Sequence, residues 1–363
     1  GFVLILCTVI SLYISNSDSG AEYMSFWHKE FLNLSIEHWV NDGLMAIFFL
    51  LIGLELVREV SAGELSNLKE AMLPIFGALG GMIVPAALYL SINYGLPSQA
   101  GAGIPMATDI AFAIGILSLL GNRIPMALKI FLTALAVIDD LGAIIIIAIF
   151  YTKELAWDYI LYSILILSVL FVFNRKRVQN LTPYILGGVI LWYCMLKSGI
   201  HASISGVLIA MLIPFGDGTE SSNSYKLQKF LHIPVAYYII PVFALANTAF
   251  IIEPISGNLL NYLAPLGIII GLVIGKPLGI FIFSYIAIKK GWSRLPKDVN
   301  WSLILGTGFL GGIGFTMSIF IALLAFNDIH LINQAKFAIL ISSFIAGLTG
   351  FLLLYKSSSE KNL

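Results

Sequence analysis

Hydrophobic residues in this chain form long runs that are separated by short polar segments. A run of about 20 apolar residues is long enough for a helix to cross the hydrocarbon core of a bilayer. We count twelve such runs and expect each to form a helix, which predicts an all-α polytopic membrane protein. Their approximate cores are residues 1–16, 37–57, 71–92, 100–120, 126–151, 156–174, 181–197, 198–213, 226–250, 262–288, 300–326 and 331–355. The seventh and eighth runs are short and are joined by a bare turn at LKSGIH.

Two of the runs contain residues that interrupt a helix. The fourth reads AGAGIPMATDIAFAIG, where two glycines and a proline precede Thr108 and Asp109. The eleventh reads GTGFLGGIGFTMSIF and holds five glycines. Glycine also serves in helix packing within membranes, but these two runs are the middle members of runs 3–5 and of runs 10–12. Interrupted helices in corresponding positions of two repeats point to a transport site at the membrane midplane. We therefore hypothesise two inverted repeats.

The composition and the charge distribution support a membrane protein with a defined orientation. Hydrophobic residues make up 59% of the 363 residues, charged residues make up 11%, and the mean hydropathy is +0.94. Soluble domains usually carry about 25% charged residues. With twelve spans and a cytoplasmic N-terminus, 15 lysines and arginines fall on the cytoplasmic side and 4 on the other, as the positive-inside rule requires. Both termini are therefore predicted to be cytoplasmic.

The same features bound the domain organisation and the partners. We predict one membrane domain over residues 1–363, with an outer loop at 16–36 and a disordered cytoplasmic tail at 356–363. The net charge is +0 and no basic block stands out, which argues against a nucleic-acid partner. Cys7 and Cys194 show no metal or redox spacing, so we expect small core residues and no cofactor. The chain opens in an apolar run without an initiator methionine, so we expect further residues before it.

Four ionisable residues fall deep inside the predicted spans, namely Asp109, Asp139, Asp140 and Lys276. Each costs about 2.5 to 3.5 kcal/mol at the centre of a membrane helix, so we expect them to face a protein interior or a water-filled cavity. Neighbours on a helix point about 100° apart, so the two adjacent aspartates should differ in role. One can face an ion path while the other faces Lys276, the buried cation of the sequence. A purely structural Asp–Lys bridge is the alternative, but it leaves two carboxylates unexplained.

Asp109 and Lys276 also have an electrostatic interpretation. If spans 4 and 11 unwind at mid-membrane, helix N-termini with partial positive charge and C-termini with partial negative charge meet there. Asp109 would offset the N-termini and Lys276 the C-termini. The pair Asp139 and Asp140 would then form a switchable site, because a carboxylate holds either a proton or a small hard cation, not both.

Weaker signals lie at the ends of spans. The segment GLELVRE places Glu55, Arg58 and Glu59 on one face at the cytoplasmic end of span two. Such a group is either a self-paired helix end or a cation funnel or pH-sensing cluster. His201 and His232, near the starts of spans eight and nine, are either interface residues or pH-response candidates, because histidine changes charge near neutral pH.

The chain resembles the NhaA-type sodium/proton antiporters in MATDIAFAIGILSLLGNRIPMALKIFLTALAVIDDLGAIIIIAIFYT, LKSGIHASISGV, IGKPLGI and GIGFTMSIFIA. The similarity runs from about Asn41 to Phe326 and more weakly to the C-terminus. It implies a transporter rather than an enzyme, with twelve helices of which spans 4 and 11 are unwound and cross. It further implies electrogenic exchange of intracellular Na⁺ or Li⁺ for external protons across a bacterial inner membrane, with inhibition at acid pH.

The resemblance also assigns roles to individual residues. Asp140 would be the main cation ligand, and Asp139 would be the second carboxylate, paired with Lys276. Thr108 and Asp109 would line the unwound crossing, while Lys276 would release or accept a proton as ions exchange. The outer loop would form a β-hairpin at a homodimer interface.

The chain departs from the family pattern near the start of span nine. A glutamate and a histidine are often found in the family where this chain has Gln228 and Lys229 in KLQKFLH, whereas His232 is retained. The exchange chemistry is unaffected by this difference, but the pH response is expected to differ.

Three other classes were weighed against an antiporter. An intramembrane aspartyl protease needs two aspartates on separate facing helices, usually with a GxGD element, whereas the close pair here is adjacent on one helix. A passive cation channel lines its pore with rings of carbonyls or like charges, which a buried lysine and the lack of a filter motif oppose. A sodium-coupled symporter shares broken helices, but the sequence offers no further pocket chemistry for an organic substrate.

Overall fold

A computed structural model of the protein describes residues 1–152, 155–216, 222–252 and 262–359. These residues are mostly helical, as the sequence predicts. The α-helices are α1 Phe2–Ser15, α2 Gly20–His28, α3 Ile36–His38, α4 Met45–Ser61, α5 Leu68–Asn93, α6 Ile110–Leu119, α7 Met126–Phe150, α8 Trp157–Arg175, α9 Thr182–Ser198, α10 Ile204–Leu212, α11 Asn223–Pro234, α12 Ile240–Asn247, α13 Leu263–Ile270, α14 Lys276–Lys289, α15 Trp301–Gly311, α16 Phe315–Ala325 and α17 Ile329–Ser359. Segments of 3-10 helix lie at Glu64–Ser66, Pro97–Met106 and Gly121–Arg123, and π-helical segments lie at Trp39–Leu44, Val235–Ile239 and Gly271–Gly275.

The described residues contain 7 helical segments long and apolar enough to cross a membrane, or up to 10 if each of three bent pairs is one span. The protein is therefore a multi-pass α-helical membrane protein. The short seventh and eighth runs are helical, as α9 and α10, and α9 ends at Gly199, whose φ of 86° suits a left-handed helix cap. These helices have 17 and 9 residues, which is short for a bilayer crossing. The count of twelve spans stays a prediction.

The three bent pairs differ in their angle. Helices α1 and α2 are bent by 114°, the segment Pro97–Met106 and α6 by 41°, and α15 and α16 by 47°. Residues 107–109 separate the second pair and residues 312–314 the third, and neither linker is helical. Both linkers follow the glycine-rich stretches that the sequence analysis identified as interruptions, because glycine weakens a helix.

The described residues divide into two compact units. The first contains Asn67–Ala143 and the described residues from Ile251 onward, together with Gly1–Phe2. In this unit α5 packs along α14, and α17 packs against α13 and α15. The α5–α14 contact brings two backbones together, since a Cβ added at Gly80 would overlap the carbonyl of Gly279. This unit holds all four of the predicted intramembrane charges.

The second unit contains Val3–Ser66 and the described residues between Ile144 and Phe250. Its helix α4 packs against α10, and α8 packs against α9. Close packing of α4 and α10 again depends on a missing side chain, because a Cβ at Gly206 would overlap the carbonyl oxygen of Ala46. The unit contains the five residues predicted to respond to pH.

The predicted outer loop at residues 16–36 contains a helix and a hairpin. Helix α2 takes the first half, and strands β1 (Glu30–Phe31) and β2 (Leu34–Ser35) pair antiparallel after it. The two turn residues, Leu32 and Asn33, have φ values of 52° and 62°, which is the left-handed backbone of a tight two-residue hairpin turn. The indole of Trp39 donates a hydrogen bond to the carbonyl of Phe31 at 2.8 Å and holds the hairpin.

The start of the predicted tail is ordered. Helix α17 runs through Ser359, so residues 356–359 are helical rather than disordered, and Ser357 and Ser358 are buried. The remaining tail residues, 360–363, lie outside the described residues. In the same part of the helix, the guanidinium of Arg123 lies 4.7 Å from the ring centre of Tyr355, which is a cation–π contact.

Candidate ion-binding site

Asp139 and Lys276 form a buried ion pair between α7 and α14. The Nζ of Lys276 lies 2.8 Å from Oδ2 of Asp139, and neither side chain is exposed to solvent. Lys276 also donates a hydrogen bond to the carbonyl oxygen of Met106, the last residue of the segment Pro97–Met106. The ammonium group therefore contacts both a carboxylate and the C-terminal end of a half-helix, where partial negative charge collects.

Thr108 brings a second group to the same carboxylate oxygen. Its Oγ1 lies 2.7 Å from Oδ2 of Asp139 and 2.9 Å from the carbonyl oxygen of Gly311. The hydroxyl has a single hydrogen, so it donates to one of these two oxygens at a time. Gly311 is the last residue of α15. Thr108 thus links the break at residues 107–109 to the end of the other broken helix.

The other oxygen of Asp139 is differently placed. Oδ1 is buried and accepts no hydrogen bond from the residues that the structure describes. Asp140 follows on the same helix, is 2% exposed, and lies close enough to Lys276 to interact with it electrostatically. A buried carboxylate oxygen beside a second carboxylate is a suitable ligand for a small hard cation.

The carboxylate cluster is limited to this pair. Within the described ranges, no group of three or more His, Cys, Asp or Glu side chains lies close enough to hold a metal ion. A cation bound by Asp139 and Asp140 would complete its oxygen ligands with hydroxyl or carbonyl groups, and the hydroxyl of Thr108 contacts Asp139. Hydroxyl, carbonyl and carboxylate oxygens are the ligands that hard cations prefer.

Asp109 contacts the N-termini of two helices. Its Oδ1 accepts a hydrogen bond at 3.0 Å from the backbone N–H of Phe112 in α6. Its Oδ2 accepts two from Thr316 in α16, from the N–H at 3.2 Å and from the hydroxyl at 2.5 Å. The N–H of Asp109 itself donates to the carbonyl of Ile313 at 2.6 Å. A negative charge at these two positions compensates the partial positive charge of both helix ends.

We expect Asp109→Ala to destabilise the folded protein by about 2 to 3 kcal/mol, because it removes two helix caps at once and each costs about 1 kcal/mol or more. Unfolding of the purified protein in detergent measures this. Asp18→Ala, a change at an exposed aspartate in the turn between α1 and α2, is the control. Equal stability of the two variants would contradict a capping role for Asp109.

The second unit brings together four of the five pH-response candidates. Nε2 of His232 lies 3.2 Å from Oε1 of Glu55, and the two side chains are 54% and 22% exposed. Arg58 interacts electrostatically with both residues, and Glu59 with Glu55. The guanidinium of Arg58 also lies 4.8 Å from the ring centre of Tyr225. The cluster therefore joins α4 to α11 through an imidazole–carboxylate contact and a cation–π contact.

His201, the fifth candidate, lies in a different cluster. Its Nε2 is 3.4 Å from Oδ1 of Asp42, and Nε2 of His38 is 3.1 Å from Oδ2 of the same carboxylate. Its Nδ1 lies 2.8 Å from the hydroxyl of Ser203. Asp42 is 7% exposed and sits between the two imidazoles. The sequence analysis assigned no role to Asp42 or His38.

Comparison with known proteins identifies the family. The family model described as Na⁺/H⁺ antiporter 1 matches residues 1–354. The chain belongs to this antiporter family. A protein named Na⁺/H⁺ antiporter NhaA from Flavobacterium psychrophilum is 62% identical over 97% of this chain and 91% of its own length. The relatives named Na⁺/H⁺ antiporter NhaA 1 from Flavobacterium johnsoniae and NhaA from Vibrio alginolyticus are 59% and 46% identical, over 100% and 99% of this chain and 95% of their own lengths. All three names are those of transporters, not of enzymes, in agreement with the sequence prediction.

The contact between Thr316 and Asp109 was not predicted from the sequence. Thr316 lies in GIGFTMSIF, directly after the break, yet we assigned it no role. A polar residue in the first turn of a helix that begins inside an apolar run was the available signal, because such a residue can exchange hydrogen bonds with a buried charge. The carbonyl groups of Met106 and Gly311 were also missed, and no side-chain pattern indicates which backbone oxygens a break exposes.

Proposed function

We propose that the protein is a secondary active transporter that exchanges intracellular Na⁺, or Li⁺, for extracellular H⁺. The observation that carries the proposal is the asymmetry of Asp139. One of its oxygens is held by Lys276 and Thr108, and the other accepts no hydrogen bond from the described residues and lies on the same helix as Asp140. The names of the relatives support Na⁺ and H⁺ as the exchanged ions.

The exchange follows from competition for the two aspartates. A cation bound between Asp140 and Asp139 replaces the ammonium of Lys276 as the positive partner of Asp139. Lys276, buried and without its counter-charge, then releases a proton, and Asp140 loses its own proton when the cation binds. When the cation leaves, protons return to the same groups. Two protons then move for each cation, so the exchange is electrogenic and responds to the membrane potential.

The proposal includes the membrane arrangement. Twelve spans cross a bacterial inner membrane with both termini in the cytoplasm, spans 4 and 11 are unwound and cross, and spans 3–5 and 10–12 form inverted repeats. The two compact units act as one transporter domain. The hairpin in the outer loop joins two copies of the chain in a homodimer. The charges at the two breaks support the crossing, because Asp109 and Lys276 each lie at helix ends whose partial charge is opposite to their own.

Proton flux in everted vesicles tests the exchange. The vesicles come from cells without other antiporters, carry an acid interior, and report their internal pH through a fluorescent dye. We expect added NaCl or LiCl to raise the internal pH, and KCl of equal strength to leave it unchanged. Sodium uptake that ignores the imposed proton gradient would favour a channel. No response at any pH from well-inserted protein would contradict sodium/proton exchange.

We expect the exchange to be regulated by pH through the cluster of Glu55, Arg58, Glu59 and His232. Replacing His232 by Gln removes from this cluster a side chain of the type that gains a proton as the pH falls below neutral, so the pH of half-activation should fall. The shift should stay below about one pH unit, because partly exposed ion pairs contribute less than about 1 kcal/mol. Vesicle flux measured across a pH series checks this.

The matched control is His28→Gln, because His28 lies 3.7 Å from Glu37 in the outer loop and is 70% exposed. A shift of the same size in both variants would contradict a specific role for His232. His201 is the remaining candidate, with Asp42 as its partner. The half-activation pH should also differ from that of relatives with a Glu and a His at the positions of Gln228 and Lys229, and identical profiles in one assay would oppose this.

A further inference from the structure

The carboxylate of Asp109 is divided between two helices. Oδ1 bonds to the N–H of Phe112 in its own helix, and Oδ2 receives both donors of Thr316 from the other broken pair. One side chain therefore ties the break at residues 107–109 to the break at 312–314. Thr316 supplies both donors on the far side of this tie, and it is 4% exposed.

Thr108, the residue before Asp109, reaches the ion pair. Its hydroxyl lies 2.7 Å from Oδ2 of Asp139, but residues 107–109 belong to no helix. No ladder of backbone hydrogen bonds fixes the position of this segment. Its position depends on individual contacts, among which are the bond from the Asp109 N–H to Ile313 and the two bonds from Thr316 to the Asp109 carboxylate.

We propose that Thr316 is a positioning residue for the cation site. By holding Asp109, it fixes the Thr108 hydroxyl against Asp139, and it thereby sets the affinity of the site for Na⁺ or another small hard cation. Thr316 acts through Asp109 and Thr108 and is not itself a cation ligand. The inference rests on the proposed sodium/proton exchange and adds a residue from the second broken helix to the control of that site.

The hydroxyl is the part of Thr316 that carries the effect. A hydrogen bond to a charged group is stronger than one between neutral groups, and its loss in a buried setting typically corresponds to about a tenfold change or more in an equilibrium constant. Valine keeps the β-branched shape and the backbone N–H and removes only the hydroxyl. Serine keeps the hydroxyl. The two variants therefore separate hydrogen bonding from packing.

The test compares Thr316→Val, Thr316→Ser and Thr307→Val in the full chain. Thr307 is a matched control because it is fully buried in α15 and its hydroxyl bonds to the carbonyl of Leu303 at 2.8 Å, away from Asp109. Initial exchange rates in vesicles at several Na⁺ concentrations give the KM and the maximal rate. Calorimetric titration of the purified protein with NaCl gives the Kd. Thr316→Ala is measured in parallel, so that the loss of the hydroxyl is tested even if the valine variant does not insert.

We expect Thr316→Val to raise the KM and the Kd for Na⁺ by about tenfold, with a much smaller change in maximal rate. Thr316→Ser should restore both constants, and Thr307→Val should leave them at the wild-type value. An unchanged KM in Thr316→Val, or an equal rise in Thr307→Val, would overturn the inference while leaving wild-type exchange intact. If the wild-type protein neither binds nor exchanges Na⁺, the proposed function fails and this inference fails with it.

Discussion

With Asp140 replaced by Asn, we expect sodium-driven proton movement to fall at least about a hundredfold, to the level of vesicles without the protein. The carboxamide has nearly the shape of the carboxylate, but it neither binds a proton near neutral pH nor offers a negative charge to a cation. Because Asp140 is 2% exposed, water does not replace the lost charge. Competition between proton and cation at this position then ends, and the coupling of the two fluxes ends with it.

The measurement is the dye-reported pH change on addition of NaCl to everted vesicles, normalised to the amount of inserted protein. Asp158→Asn makes the same chemical change at an exposed position in the first turn of α8 and should exchange normally. Sodium-dependent alkalinisation that survives in Asp140→Asn would show that the second carboxylate of the pair is dispensable. Cation binding and proton exchange would then depend on Asp139 without the Asp140 carboxylate.

The largest effect on stability is expected from Lys276→Gln. The substitution leaves the carboxylate of Asp139 buried without its ammonium partner, and breaking one side of a buried ion pair typically costs about 3 to 5 kcal/mol. It also removes the donor to the carbonyl of Met106. We expect a lower unfolding temperature in detergent and a smaller yield of inserted protein. In contrast, Lys289→Gln at the other end of the same helix should cost less than about 0.5 kcal/mol.

A double variant separates the ion pair from other losses. In Asp139→Asn/Lys276→Gln neither charge remains, and two neutral amides can bond to each other, so most of the lost stability should return. If the double variant is no more stable than Lys276→Gln, the cost comes from the contact with Met106 or from packing. Exchange in Lys276→Gln that still moves net charge would mean that this lysine is not an obligatory proton carrier.

The sequence predicted a polytopic helical protein with four buried intramembrane charges because both features follow from local patterns. A charge inside an apolar run is costly wherever the run folds, so Asp139, Asp140, Asp109 and Lys276 could be selected without coordinates. The interruptions at residues 107–109 and 312–314 follow glycine-rich stretches, whose effect on a helix is local. The residues alone predicted that one aspartate of the pair faces Lys276, and the resemblance to the antiporter family assigned that partner to Asp139.

The remaining contacts depend on how distant segments pack, which a single sequence does not encode locally. In the sequence, Asp42 looks like any polar residue near the start of a helix. Its contact with His201 depends on how the chain folds. Helix α2 was not predicted, because the polar and aromatic residues of this segment show no strong helical periodicity. The end of α17 was predicted to be a disordered tail because serine and lysine are typical of disordered segments, whereas the helix runs through Ser359 and buries Ser357 and Ser358.

The hydrogen bonds of Asp109 to two different helices also have a consequence for the assembly of the protein during translation. Thr316 follows Asp109 by 207 residues, and ribosomes add about 5 to 20 residues per second. Asp109 is therefore synthesised roughly ten to forty seconds before its second set of donors has been made. A nascent chain halted before Phe315 carries the Asp109 carboxylate with its contact to Phe112 but without its contacts to Thr316.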